Sequence, residues 1–563
     1  MQIYIKGKKN KINLTKNHFV SQGGEGKIFA RHGTVYKIYT NPKSMIQYSK
    51  MKELSIITNP NVIKPEQIVL SNKQKPIGYT MKHIANTYAL CQIFPKAFRD
   101  RTGMNTKNVL HLVQKTQSTI SDIHKLKILL VDGNEMNFLV DKNFKDIFFI
   151  DVDSYQTQSF PATAIMDSIR DRHNSTFSEL TDWFSFGIVT FQMFIGIHPY
   201  KGRHPTVKGM DDRMKANIPV FHKDVRLPKV CLPFDTIPQA YKDWYKAIFF
   251  EGKRLNPPND PVQIIAIPVT IQTILGNEDF EIKEIFEYNS NIIKFTSIDG
   301  NRVVITKNNF YLNNKSTANL YTRGSHAAII PVTDKVIYTK IDDDNKLNFY
   351  NLSDDEDIFA NIQAEDIMSY KGRIYIKNQD IISEIKFINM GKHINPVPHH
   401  IGNIMENATK LYDGVVIQNV LGSFVVSVFP ETETHYQIQC PEFTGYQLID
   451  AKYQDNVLMI IGSKKGKYDK FILKFNSKFS SYSFRKVGDI TYYGINFTVL
   501  DNGIVIHINE NEEIEIFSNK KDSNTVKIID SSVISGDMKL FNDGIQVIFA
   551  KGKKMYRLKM NKV

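Results

Sequence analysis

Apolar and polar positions along the chain fall into two textures that meet near residue 265. In the first, NVLHLVQKTQSTISDIHKL (108–126) repeats its apolar residues at helical spacing, which predicts an amphipathic helix. DWFSFGIVTFQMFIGI (182–197) is apolar almost all round and predicts a helix buried on every side. Alternating runs between such helices predict strands. From about Ile274 the helical patterns give way to short Ile, Val, Tyr and Phe runs bounded by Asn, Asp, Gly and Lys, the signature of strands joined by tight turns. The proline-bearing RLNPPNDPVQ (254–263) marks a seam between the two.

The second texture repeats. A polar turn followed by a β-branched run recurs at Ile292, Val336, Ile374, Val415, Val457, Ile504 and Ile545. The period is about 40 residues, enough for four short strands and within the range of propeller repeats. Seven such units fill residues 270–563, and radial repetition would let each four-stranded sheet bury its faces against its neighbours. A pair of ordinary β-sandwiches is the alternative. No WD or kelch signature accompanies the period.

Composition narrows the class. With 42% hydrophobic and 23% charged residues the chain is an ordinary globular protein, not a disordered, collagenous or disulfide-scaffold one. No apolar run reaches the roughly 18 residues of a membrane helix, and the basic start lacks the apolar core of a secretory signal. Cys91, Cys231 and Cys440 stand far apart without ligand spacing, so they read as buried thiols of a reducing, cytoplasmic compartment. Net charge is +14, and residues 1–50 hold ten Lys or Arg against Glu25 alone. Such a stretch is either a solvated surface or a face for an anionic partner: nucleotide phosphate, nucleic acid or acidic protein. A nucleic-acid partner has no aromatic-plus-basic recognition motif behind it.

The candidate chemistry lies in the first texture. FVSQGGEGKIF sets Ser21, Gly23 and Gly26 at the small-residue places of a G-x-G-x-x-G-x-V turn, with Gly24 inside it and Ile28 at the Val place. Small residues there let backbone N–H groups approach phosphate oxygens. Lys37 ends the alternating run Val35-Tyr36-Lys37, and Glu53 sits in a short helical run that could present a carboxylate to it. Asp132 and Asn137 stand in D-x-x-x-x-N spacing, and Asp151 ends the apolar run 147–150. That set supplies a carboxylate for an acceptor hydroxyl and an amide and a second carboxylate for Mg²⁺. The apolar run leading directly into Asp151 assigns it the metal, with Asp153, two residues on, as the alternative ligand.

In that order these motifs resemble the protein kinase-like superfamily. Leu180–Gly187 is similar to its Ser-Asp-x-Trp-Ser-x-Gly helix, with Asp182 as the aspartate that braces the catalytic loop, and Arg254 to its late arginine. Asp151-Val152-Asp153-Ser154-Tyr155-Gln156 resembles a bacterial and phage branch with Asp-Val-Asp-Ser-x-Gln in place of Asp-Phe-Gly. The resemblance implies an α+β bilobal domain over 1–265, with an N-lobe to about 81 and a C-lobe from about 85, ahead of an all-β propeller-like domain over 270–563. It implies an ATP- and Mg-dependent serine/threonine protein kinase whose propeller recruits a protein substrate or partner, and no membrane. Lys37 would pair with Glu53 and hold phosphates, Asp132 would serve the acceptor, and Asn137 with Asp151 or Asp153 would hold metal. Met81, Lys82 and Ile84 would receive adenine. Val131 replaces the arginine of His-Arg-Asp, which removes the pocket for a phosphorylated activation loop. Asn134 replaces the lysine usual in Ser/Thr kinases, as in small-molecule kinases of the same fold. That alternative stays open beside a nucleotide-binding pseudokinase scaffold.

Overall fold

The computed structural model describes all residues except 24, 163, 259–279, 299, 319–325, 331–334, 392, 431–434, 492–493 and 561–563. The expected domain boundary lies outside the described residues.

The chain opens with a seven-stranded antiparallel sheet: β1 (Gln2–Ile5), β2 (Lys11–Asn13), β3 (Phe19–Gln22), β4 (Gly26–Arg31), β5 (Thr34–Tyr39), β6 (Gln67–Ser71) and β7 (Pro76–Lys82). Their spatial order is β2-β1-β6-β7-β5-β4-β3. The short helix α1 (Tyr48–Leu54) lies between β5 and β6 and buries Met51 and Leu54. Gly26 is required by this sheet, because a Cβ there would stand 2.4 Å from the Ile38 carbonyl oxygen on β5.

A mainly helical lobe follows, with α2 (Lys96–Thr102), α3 (Thr106–Lys125), α4 (Glu179–Ile195), α5 (Met210–Lys215) and α6 (Gln239–Phe249). A small sheet of β8 (Thr87–Ala89), β9 (Phe138–Asp141) and β10 (Ile147–Phe149) lies beside them. The two helices read from periodicity are α3 and α4. Asn105 caps α3 by accepting from the Lys107 and Asn108 amides, and Ser178 caps α4 by accepting from Thr181. α4 is buried from Thr181 to Ile195, as its apolar circumference requires. Gly187 lets it approach α6, where a Cβ would meet Ile248 at 2.6 Å.

Beyond α6, the described residues form seven four-stranded antiparallel sheets and one short 3-10 turn, Pro441–Phe443. Sheets one to six are consecutive meanders over 292–318, 326–358, 366–403, 409–439, 447–487 and 497–529. The seventh takes three strands from 539–560 and its fourth from Phe280–Glu287, which pairs with Lys554–Met560 from Phe280 against Met560 to Glu287 against Lys554. Each sheet shares a buried apolar cluster with the next. Val303 and Ile305 of sheet one meet Val336 and Tyr338 of sheet two, and Met368 and Tyr375 of sheet three meet Val416 of sheet four. Ile548 and Met555 of sheet seven meet Phe295 and Val304 of sheet one. Six of the seven repeat landmarks lie within one residue of the start of the second strand of their sheet. Ile292 opens a first strand instead, because the strand before it is spent on closing sheet seven.

The two halves share one core. Ile449, Ile461, Tyr468 and Ile490 of sheet five and the turn after it pack into the cluster built on α3, α4 and α6. Cys91 and Cys440 are buried and Cys231 half-buried, all as free thiols. Among the described residues no helix is long and apolar enough to cross a membrane.

Candidate active site

Asp132 follows a backbone held under constraint. Val131 has φ +62, a left-handed conformation unusual for a β-branched residue. Buried Asp182 of α4 holds it there, its carboxylate accepting from the Leu130 and Val131 amides at 2.8 and 2.9 Å and contacting His124 Nε2 at 2.9 Å. Asp182 thus braces the loop, as its sequence position implied. Asn137 donates through Nδ2 to the Asp132 carbonyl at 2.9 Å. Its Oδ1 has no hydrogen bond among the described residues.

Asp151 also has a left-handed backbone, φ +59. Lys37 Nζ reaches Asp151 Oδ1 at 2.7 Å and Asp153 Oδ2 at 2.8 Å. The two carboxylates differ in surroundings. Asp153 is enclosed, its side chain 6% exposed, and it accepts from the Tyr39 hydroxyl at 2.5 Å and the Tyr79 hydroxyl at 2.7 Å. The Asp151 side chain is 37% exposed, into a cavity of about 2570 Å³ that it lines. That openness favours Asp151 as the cation ligand and leaves Asp153 to anchor Lys37. The expected Lys37–Glu53 pair is absent: the Glu53 carboxylate accepts from the Ser159 amide. α1 ends within two turns, and Asp153 already fills the place beside the lysine.

Burial works against the Lys37 charge, but Asp153 and Asp151 outweigh it and hold the ammonium well above the ordinary lysine range. Burial and the adjacent Asp153 charge push Asp151 above the ordinary carboxylate range, against the pull of Lys37. For Asp153, burial is overcome by Lys37 and the two tyrosine hydroxyls, and its carboxyl lies below that range.

Ser21, Gly23, Gly26, Ile28, Met81, Lys82, Ile84, Lys37, Asn137 and Asp151 all line the one cavity. Gly24 lies outside the described residues. A Cβ on Gly23 would meet nothing within 4 Å, so this turn is open to the cavity while Gly26 serves the sheet. Glu25 bends back from the turn to 3.5 Å from Lys37. The oxygen set of Asn137 Oδ1 and Asp151 is hard and suits Mg²⁺.

Sequence reading missed Tyr39 and Tyr79. Tyr39 follows Lys37 at the same-face spacing of a strand, and Tyr79 faces Lys37 across the β5–β7 ladder. The first was legible from alternation, the second only from register. It also missed the grouping of His204, His222 and Asp224. The Nδ1 atoms of both rings accept backbone amides, from Val207 at 3.0 Å and Asp224 at 3.3 Å.

No protein-family model matches the chain, and no curated protein matches it. Among solved structures it is similar to Kluyveromyces lactis Hsv2 (complete loop 6CD), at 12% identity and a TM-score of 0.31, over 49% of this chain and 98% of that one. It is also similar to the Cydia pomonella granulovirus kinase PK-1, at 14% identity and a TM-score of 0.30, over 41% of this chain and 88% of that one. At these levels neither likeness bears on chemistry.

Proposed function

We propose that the chain is an ATP- and Mg²⁺-dependent phosphotransferase carrying a seven-bladed β-propeller. The observation that carries the reading is the approach of Lys37 to Asp151 at 2.7 Å beside Asn137, whose carbonyl accepts from the Ile150 amide at 2.9 Å and whose side chain donates to the Asp132 carbonyl. Lys37, fixed by Asp153, binds phosphate oxygens. Asn137 Oδ1 and Asp151 hold the metal, and Asp132 orients the acceptor hydroxyl and takes its proton. Bound Mg-ATP supplies the transferable phosphoryl group, and catalysis in this class is positioning plus electrostatics. The seven sheets, their shared clusters and the closing strand support the propeller reading, in which closure leaves no open edges.

The acceptor is a serine or threonine hydroxyl of a protein that the propeller recruits. A small-molecule acceptor is the second reading. Buried Asn134 favours it: the residue turns its Oδ1 to the Met136 amide at 2.8 Å and puts no cation beside Asp132. Incubating the full chain with γ-labelled ATP and Mg²⁺, with and without cell lysate, tests the reading. Label in protein bands supports the first acceptor and label in small molecules the second. No Mg²⁺-dependent turnover in either fraction would leave a nucleotide-binding scaffold.

A further inference from the structure

Among its contacts with the other half, the β half reaches the loop that carries Asp132. Tyr468 of sheet five donates to Glu135 Oε1 at 2.7 Å, inside the Asp132–Asn137 loop, and its hydroxyl lies 4.0 Å from the Met136 sulfur. Glu135 is 2% exposed, and its other oxygen has no partner. Beside Tyr468 is the tight turn 464–467, with Lys465 and Gly466 both at positive φ. A Cβ on Gly466 would stand 2.7 Å from Met166 Cγ and 3.3 Å from Ser168 Oγ, so the turn is pressed against the segment that follows Asp151.

That segment is pinned on its other side as well. The Met166 amide donates to Asp132 Oδ1 at 2.8 Å, and Met166 lines the cavity. The Ser168 carbonyl lies 2.8 Å from His198 Nε2, and Ser185 Oγ donates to the Ile169 carbonyl at 3.0 Å. Close by, Lys201 donates to Asp489 at 3.2 Å and to the Ile490 carbonyl at 2.9 Å, locking sheet five onto the helical lobe. One carboxylate oxygen of Asp132, Oδ1, is therefore engaged by the chain itself, which leaves Oδ2 as the oxygen open to an acceptor hydroxyl.

Resting on the phosphotransferase reading, we propose that the β half restrains the enzyme: turn 464–467 and Tyr468 clamp 165–168 onto Asp132 Oδ1, and the acceptor gains the whole carboxylate when the clamp lifts. Nucleotide can bind meanwhile, because Lys37, Asn137 and Asp151 remain on the cavity wall.

The test uses the full chain with Mg-ATP, water serving as the phosphoryl acceptor and leaving as inorganic phosphate, and reads ADP release, hydrogen exchange at the backbone amide of position 166 and the thermal shift given by Mg-ADP. Met166→Ala and Tyr468→Phe should each raise ADP release at least about tenfold and speed exchange at position 166. Asp489→Ala, which loosens the dock without touching the loop, should do the same more weakly. The thermal shift should stay as in wild type. A normal shift with unaccelerated or slower ADP release in Met166→Ala and Asp489→Ala overturns the clamp alone. No Mg-ADP shift in wild type overturns the phosphotransferase reading, and the clamp with it.

Discussion

Lys37 Nζ lies 2.8 Å from Asp153 Oδ2, and the helix carboxylate Glu53 is not its partner. The two are joined inside a cage of Tyr39 and Tyr79, whose hydroxyls occupy Asp153 and whose rings lie 5.3 and 5.8 Å from the ammonium. Breaking the pair leaves Lys37 to Asp151 and takes a charged acceptor from the two tyrosine hydroxyls. Asp153→Asn should destabilise the fold by about 1–3 kcal/mol. Glu53→Gln should leave the melting temperature unchanged. Equal losses in urea unfolding of the two variants would remove Asp153 from the anchoring role.

Asp151 behaves oppositely, because Asp153 and burial together disfavour its charge. Asp151→Asn should keep or raise the melting temperature while abolishing Mg²⁺-dependent nucleotide binding, since an amide is a weaker ligand than a carboxylate. A variant that melts well below wild type would show Asp151 to be a structural charge instead.

Glu25 places a carboxylate 3.5 Å from Lys37, where nucleotide phosphates would compete with it. The side chain is mostly exposed, so the effect is modest. Glu25→Gln should tighten Mg-ADP binding about two- to threefold by calorimetry. Weaker binding would mean that Glu25 helps the turn to close.

Among the buried histidines, His198 and His507 are held in the neutral form. Burial pushes His198 down to about 3 and His507 down to about 4. Both are depressed in the folded state, so the unfolded chain binds more protons below its ordinary histidine value. Their contribution is complete above about pH 6.5 and is lost as pH falls toward 4. The urea midpoint should therefore drop between pH 7 and pH 5. His198→Gln should flatten that slope, and an unchanged slope would show that His198 does not titrate with unfolding.

Closure of the seventh sheet depends on Phe280–Glu287 pairing with Lys554–Met560. Deleting residues 552–563 leaves the first of these strands without its partner and removes Met555 from the cluster of Ile548, Ala550 and Phe295. Unfolding of the β half should shift down as one cooperative transition by far-UV circular dichroism. An unchanged transition would contradict closure.

Much of this was legible in the chain because the relevant spacing is local. Asp132, Asn137 and Asp151 sit on one loop and the hairpin after it, so a few residues of sequence fix their neighbourhood. The β repeats announce themselves because every sheet needs the same turns and β-branched runs. Lys37's true partner was not legible: Asp153 wins over Glu53 only because Tyr79, across the ladder, and Tyr39 satisfy its remaining lone pairs. Gly26 looked like a phosphate-turn residue, yet the close approach of Ile38 explains it. The docking of Tyr468 on Glu135 joins residues whose separation in sequence gives no periodic signal.

The most direct measurement of the central claim is Mg²⁺-dependent turnover of γ-labelled ATP by the full chain, set beside Asp151→Asn. Phosphotransfer predicts ADP formation that requires Mg²⁺ in wild type and falls at least about a hundredfold, some 2.7 kcal/mol in barrier, in a variant that remains folded. Turnover that survives Asp151→Asn undiminished, or a wild type that neither binds nor turns over Mg-ATP, would contradict it.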